Sequence, residues 1–331
     1  MSVKIFEVKI RGSAVMPDDD TILNIGGTID RTKKITFADL SIQGTVEIVS
    51  SAVADISQTV DVIFRDSAGA KLTEQKTLSG QTPVAFSSTM ERLLKALKTG
   101  STAGDVAVMA STAERTGTAQ GGTTDSIQLD AGASSVNGFF IGFVCRLTGG
   151  TGAQQIREIV AYDGATKVAT VNRIWGTDPD ATTVFRIARG MLFDLLPVEI
   201  DEVRRPFFNA AADPPGGSQR DYFDKFFFDN TQPATGGLAL TLAVISEVTD
   251  VPGVVDFDLE TVLDGSTTNG AGNNRQVAPS GFTFDSAAKN VANSQTHSPA
   301  SAQGVWLRLR LAAGAAAQKF VYEIKEQGNT V

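Results

Sequence analysis

The sequence predicts an all-β, multi-domain protein: an N-terminal β domain, a barrel-like antiparallel β-meander and a C-terminal β-sandwich. Three observations carry this. Short apolar runs alternate with polar residues at a two-residue period along most of the chain. Turn residues separate those runs, and glycine alone accounts for 32 of 331 residues, a larger share than the roughly 7% of average usage. A helical period occurs in one segment only, residues 87–98. The hydrophobic share of 42% is enough for packed cores and argues against general disorder. The length predicts two or three domains, and changes in texture place them at 1–100, 101–190 and 191–331.

Within 1–100, the first apolar run is Val3, Ile5, Phe6, Val8 and Ile10, and the second is 21–25, closed by Gly26-Gly27. Strands follow at 34–37, 43–49 and 59–64, where Val60, Val62 and Phe64 alternate with Asp61 and Ile63. Asp66-Ser67-Ala68-Gly69 then turns the chain into 71–77, a predicted hairpin. The triplet Asp18-Asp19-Asp20 reads as a solvated turn, with a calcium loop as the alternative. The domain is expected to end in one short helix. Ser88 and Glu91 have capping-box spacing, and Met90, Leu93, Leu94 and Leu97 share one helical face. Lys95 and Lys98 suit its C-terminal end and Gly100 its closure. Such a helix packs on its own domain or docks a partner, so its apolar face is a candidate interface.

Residues 101–125 are rich in Gly, Thr, Ala and Ser and read as a connector with one strand, 106–109. The meander proper spans 126–187. Runs at 139–147, 156–162 and 168–175 are joined by Thr148-Gly149-Gly150-Thr151-Gly152 and Asp163-Gly164-Ala165-Thr166. Phe143, Cys145 and Leu147 fall on one strand face and Val144 and Arg146 on the other, which makes Cys145 a small core residue. The glycine cluster is not a phosphate loop, because Ala153-Gln154-Gln155 stand where Lys-Ser/Thr is required. Trp175-Gly176 closes the last run, and Asp178-Pro179-Asp180 forms a loop with weak metal character.

In 191–331, Asp213-Pro214-Pro215-Gly216-Gly217 is a turn cluster. Strands are predicted at 222–228, 238–245 and 254–263, with a long loop at 264–280 and a short strand at Phe282 and Phe284. Val305, Leu307, Leu309 and Leu311 alternate with Trp306, Arg308 and Arg310, and Ala312-Ala313-Gly314 turns back into 320–324. Strands of this number and length predict a β-sandwich. Tyr222, Phe226 and Phe228 form a second candidate interface, and Trp306, Arg308 and Arg310 a third. A Trp between two Arg has hot-spot composition; the alternatives are a carbohydrate platform, or a covered face with Arg stems over the indole.

Composition also excludes function classes. A net charge of −8 repels phosphate backbones, so no nucleic-acid partner is expected. One cysteine, Cys145, allows no intramolecular disulfide. No apolar run reaches 18 residues and the N-terminus lacks a signal-peptide core, so no membrane insertion is expected. One Cys and one His cannot close a four-ligand zinc site. A Ser-His-Asp triad would have to use His297, which stands in a polar loop sequence. Glycoside cleavage needs two carboxylates about 5 to 10 Å apart, and no motif selects a pair. No catalytic residue, metal ligand or cofactor is assigned.

The middle module resembles a β-rich module found repeatedly in structural proteins of tailed bacteriophages. The residues that carry this are Ile127-Gln128-Leu129-Asp130-Ala131-Gly132-Ala133-Ser134, Gly150-Thr151-Gly152-Ala153-Gln154, Ile159-Val160-Ala161-Tyr162-Asp163-Gly164, Lys167-Val168-Ala169-Thr170-Val171 and Trp175. The last module is similar to β-sandwich segments of phage virion proteins at Asp224-Lys225-Phe226-Phe227-Phe228-Asp229-Asn230 and Ala302-Gln303-Gly304-Val305-Trp306-Leu307-Arg308-Leu309, and in the ending Gly328-Asn329-Thr330-Val331. The resemblance covers 120–331; the first hundred residues carry no such resemblance. It implies a non-enzymatic virion component, in a tail tip, baseplate or fibre attachment, or alternatively a capsid decoration protein. It implies contacts with other virion proteins, homo-oligomerisation, and assembly in the host bacterial cytoplasm. The second alternative is a host-surface glycan-binding module, with the glycan on the aromatic faces near Trp175 or Trp306.

Overall fold

The computed structural model describes residues 7–18, 24–207, 218–249, 254–270, 274–314 and 322–331. The starts of the first, second and last predicted strands (Val3, Ile5 and Phe6; 21–23; Phe320), Asp19 and Asp20 of the acidic triplet, and the turn 213–217 lie outside the described residues. Strands dominate, as the alternating pattern predicts. Among the described residues the helix is a four-residue turn, Ala292–Gln295.

The chain forms two compact units, Ala38–Arg204, and Met1–Phe37 together with Arg205–Val331. This differs from the contiguous boundaries expected at 100 and 190. Strand Val8–Val15 pairs antiparallel with Arg220–Asn230, in a register running from Val8↔Asn230 to Gly12↔Phe226, and also with Gly26–Ile35. The two-residue period identifies Val8–Val15 as a strand but carries no information about its partner, which lies some 200 residues away in sequence.

The discontinuous unit is a sandwich. One antiparallel sheet runs Val255–Leu259, Ala302–Leu311, Arg220–Asn230, Val8–Val15, Gly26–Ile35. The other runs Lys289–Asn290, Leu240–Thr249, Glu323–Thr330. Phe226, Phe228, Phe257, Val305 and Leu307 of the first sheet pack with Leu240, Ala243, Ile245 and Ile324 of the second. The opposite face of the larger sheet is also buried, where Phe223 and Trp306 cluster with Ile25, Phe282 and Phe284. Phe282 and Phe284 form no strand; they sit in a loop segment linked to the sheet by an Asp285–Phe257 bridge. Cover on both faces explains why 222–230 is buried at every position and carries aromatics on both of its faces, Phe226 and Phe228 on one and Phe223 and Phe227 on the other.

In Ala38–Arg204 the segment expected to be a helix is the strand Met90–Lys98. Thr59–Arg65 lies along one edge, and Ser41–Gly44 and Glu202–Arg204 share the other. Leu, Met, Lys and Glu favour a helix only by tenths of a kcal/mol each. Partners on both edges satisfy the backbone of this strand, and tertiary pairing overrides propensity. A bulge opposite Ile63 and Phe64 shifts the register at Leu94. It leaves residues 93–96 all buried, which gives the apolar positions a spacing that imitates a helix. Lys95 and Lys98, expected to face a helix C-terminus, pair with Glu202 at 3.3 Å and Glu199 at 2.6 Å. The hairpin Thr59–Arg65 to Lys71–Thr77 forms where predicted. A second sheet, Gly190–Phe193, Val106–Ala110, Val46–Ser50, Val84–Ala85, completes this core.

The meander closes on itself. Its strands run Arg115–Thr118, Val184–Ala188, Val144–Gly149, Ile156–Asp163, Val168–Val171, Ser126–Gln128, Gly121–Thr123. The first and last of these are separated in sequence only by Ala119 and Gln120, whose amides donate to Thr183 O and Gln128 O. Cys145, Leu147, Phe185, Ile187, Ile159 and Ile127 fill the interior, while Val144 and Ile156 face outward into the neighbouring core. The face assignment of Phe143, Cys145 and Leu147 holds, and this barrel has its own core within 119–187. The glycine cluster makes a turn: Gly150 has φ 70°, and a Cβ there would stand 2.0 Å from Thr182 O, so only glycine fits.

Candidate functional site

The candidate site is a polar cleft of about 270 Å³ in Ala38–Arg204. Its wall comes from Ser51, just past strand Val46–Ser50, from Gly104 and Asp105 at the entry to Val106–Ala110, from Gln154, from Arg157, and from Arg173. Strand pairing of Val46–Ser50 with Val106–Ala110 sets Ser51 Oγ 2.9 Å from the Asp105 amide, which donates to it. Barrel closure brings Arg157 and Arg173 to the same point. Asp105 Oδ2 accepts from Arg157 Nη1 at 2.9 Å and from Arg173 Nη2, and Oδ1 accepts from the Leu195 amide at 3.0 Å.

Arg157 is held from all sides. It donates to the carbonyls of Ile156 (2.7 Å) and Ile174 (2.9 Å), and its guanidinium lies 5.4 Å from the Trp175 ring centroid. Burial, followed by the Arg173 charge, pushes it down to about 10, against the pull of Asp105. Burial pushes the Asp105 carboxyl up, against Arg173 and Arg157. Asn172 Nδ2 donates to Asp194 Oδ1 at 2.7 Å, and the Glu158 amide donates to Asn172 Oδ1 at 3.0 Å. Gln154, at φ 73°, accepts from Arg146 Nη2 at 2.8 Å. Most polar groups of the cleft are therefore consumed by internal bonds that tie the barrel to the adjoining sheets. Among the described residues Arg173 Nε is buried with no hydrogen-bond partner, and the cleft is an internally paired polar cluster in which Asp105 and Asp194 face Arg157 and Arg173.

The sequence-predicted site residues are not brought together. Met90 and Leu93 are buried in the core of their own unit, Leu94 is buried and Leu97 half-buried. Tyr222, Phe226 and Phe228 are buried in the sandwich. Trp306 is fully buried, 5.9 Å from Phe282 between ring centroids. Arg308 and Arg310 do share its face of the strand, but they are half-buried and engaged: Arg308 pairs with Asp256, and Arg310 binds Asp221 through two bonds of 2.9 and 2.8 Å. Alternation separates two faces without saying which one meets water, and the loop residues Phe282 and Phe284 cover this one. Trp175 is buried as well, so neither indole offers a platform to a glycan.

His297 is not in a solvated loop. Its ring is fully buried, with Nδ1 2.6 Å from Glu326 Oε1 and Nε2 3.0 Å from Ser301 O. Asp180 Oδ1 accepts from the Thr182 amide and hydroxyl, each at 2.7 Å, which makes the Asp-Pro-Asp loop a closed turn. Among the described residues no group of three His, Cys, Asp or Glu side chains is placed to hold a metal, and no helix is long and apolar enough to cross a membrane.

Sequence reasoning missed one exposed surface. The run expected at 139–147 becomes a strand only from Val144. Before it, the Phe139 amide donates to Val136 O and the Ile141 amide to Gly138 O. These turns send Phe140 and Phe143 inward and leave Val136, Phe139 and Ile141 at 60, 42 and 47% exposure. The only sequence signal was the Gly138 and Gly142 bracket. Comparison with protein-family models, curated proteins and solved structures found no match. The architecture alone defines the class: an antiparallel all-β protein with a closed barrel in one unit and a sandwich in the other.

Proposed function

We propose that the chain is a non-enzymatic structural component of a tailed-phage virion, placed at the tail tip, baseplate or fibre attachment and acting through protein–protein interfaces. The reading rests on the phage-like phrases of 120–331. The observation that favours contact rather than chemistry is the Val136, Phe139 and Ile141 surface, three large apolar side chains exposed on one short loop. Grouped exposed apolar residues are what assembly surfaces present. The partners are other virion proteins and further copies of this chain. Assembly takes place in the host bacterial cytoplasm.

Mass spectrometry of purified particles, with sedimentation of the isolated chain, tests this. Detection in particles at a handful of copies, with self-association in solution, is the expected result. Hundreds of copies per particle would move the protein to the capsid surface as a decoration protein. A monomer that is absent from particles would refute the reading.

A further inference from the structure

Lys225 lies in the middle of strand Arg220–Asn230 with its side chain fully buried. Nζ stands 2.8 Å from Gly27 O, 3.0 Å from Gly265 O, 3.1 Å from Thr267 O and 2.5 Å from Glu260 Oε1. The Phe227 and Trp306 rings lie 4.9 and 5.5 Å away, turning negative faces toward the charge. We propose that the Lys225 ammonium is the resident cation of a preformed oxygen cage, and that the cage, emptied of its lysine, takes a free monovalent cation of ammonium or potassium size.

The cage is held by bonds that do not involve the lysine. The Gly27 amide donates to Thr267 O at 3.0 Å, and the Asn269 amide to Ile25 O at 3.2 Å. The Thr267 amide and hydroxyl both donate to the Glu260 carboxylate, at 3.2 and 2.9 Å. Gln303 Nε2 donates to Glu260 O at 2.9 Å. A Cβ on Gly265 would stand 2.7 Å from Glu260 Oε2, and one on Gly26 2.7 Å from the Trp306 ring. The backbone therefore approaches as closely as glycine allows, and the three carbonyls stay aimed inward.

Charge and distance define the ligand. Three neutral carbonyls and one carboxylate carry a single formal negative charge, which one monovalent cation balances. The carbonyl distances of 2.8 to 3.1 Å exceed the roughly 2.3–2.6 Å of calcium and 2.0–2.1 Å of magnesium. Carbonyl cages suit potassium, whose hydration shell they replace. Removing the lysine leaves Glu260, 3% exposed, as an uncompensated buried charge, which is strongly unfavourable. That penalty drives uptake of a cation.

The test is thermal unfolding of full-length Lys225→Ala and wild type at one ionic strength in choline, sodium, potassium, ammonium and calcium chlorides. Wild type is expected to melt at the same temperature in choline, sodium, potassium and ammonium. Lys225→Ala is expected to melt lowest in choline and progressively higher as potassium or ammonium is raised, the folding constant growing about 100-fold at a concentration of 100 Kd. Lys225→Met, whose thioether fills the space, is expected to show no such response. If Lys225→Ala does not fold in choline, refolding yield replaces melting temperature, with recovery expected in potassium or ammonium. Equal behaviour of Lys225→Ala in choline, potassium and ammonium, an equal response from Lys225→Met, or stronger rescue by calcium would overturn the proposal.

Discussion

The His297–Glu326 pair makes the stability of the sandwich depend on pH in a direction that can be worked out. Both imidazole nitrogens face acceptors, the Glu326 carboxylate at 2.6 Å and the Ser301 carbonyl at 3.0 Å. A neutral ring has one N–H and can satisfy only one of them, so the geometry calls for imidazolium. Burial opposes that charge, but Glu326, the Ser301 carbonyl and the Asp229 charge outweigh it, and His297 is raised above its ordinary 6.5. A raised histidine contributes stability that is fully present below the unfolded value of about 6.5 and is lost as pH rises through the folded value. Glu326 lies on the last strand, Glu323–Thr330, and the Leu240 and His297 backbones exchange two hydrogen bonds, so this loss loosens the smaller sheet. Glu326→Gln removes one partner of a buried pair, at a cost of about 3–5 kcal/mol near pH 6. That variant lacks both Glu326 contributions that raise His297, while burial still opposes the charge. The stability that wild type loses as pH rises should then be largely absent, so the pH slope flattens relative to wild type. Urea unfolding from pH 5.5 to 8.5 measures the slopes. NMR titration of the ring is unambiguous because the chain has one histidine. Parallel pH profiles for the two proteins, or a wild-type ring titrating below 6.5, would refute the reasoning.

Leu93→Ala is expected to cost about 2–5 kcal/mol, because Leu93 is fully buried in a central strand; a loss under about 0.5 kcal/mol by urea denaturation would instead fit an exposed site. Asp105→Asn leaves Arg157 and Arg173 facing each other without their shared carboxylate, and a loss of about 3–5 kcal/mol is expected. A midpoint unchanged in guanidinium chloride would contradict the role given to that cluster. The Cys145 thiol is buried and pushed up to about 12, so a thiol-reactive disulfide reagent at pH 8 should leave the native protein unlabelled and modify one thiol after unfolding. Rapid native labelling would show that the barrel interior is open.

The strands of this protein are written locally. Val60, Val62 and Phe64, or Val305, Leu307 and Leu309, alternate because a pleated backbone sends successive side chains to opposite faces, and each formed a strand in place. The Cys145 and Leu147 face and the glycine turn after it were legible for the same reason, since both depend on residues within a few positions. Three things were decided only by the tertiary structure. Met90–Lys98 became a strand because neighbours on both edges supplied its hydrogen bonds, outweighing a propensity of a few tenths of a kcal/mol per residue. Trp306 went inside because loop residues distant in sequence cover its face, and alternation cannot tell a covered face from a wet one. Val8–Val15 joined the C-terminal sandwich through pairing with Arg220–Asn230. The oxygen cage around Lys225 belongs with these. Its carbonyls come from Gly27, Gly265 and Thr267, and backbone oxygens have no signature in a sequence until the fold gathers them around a charge.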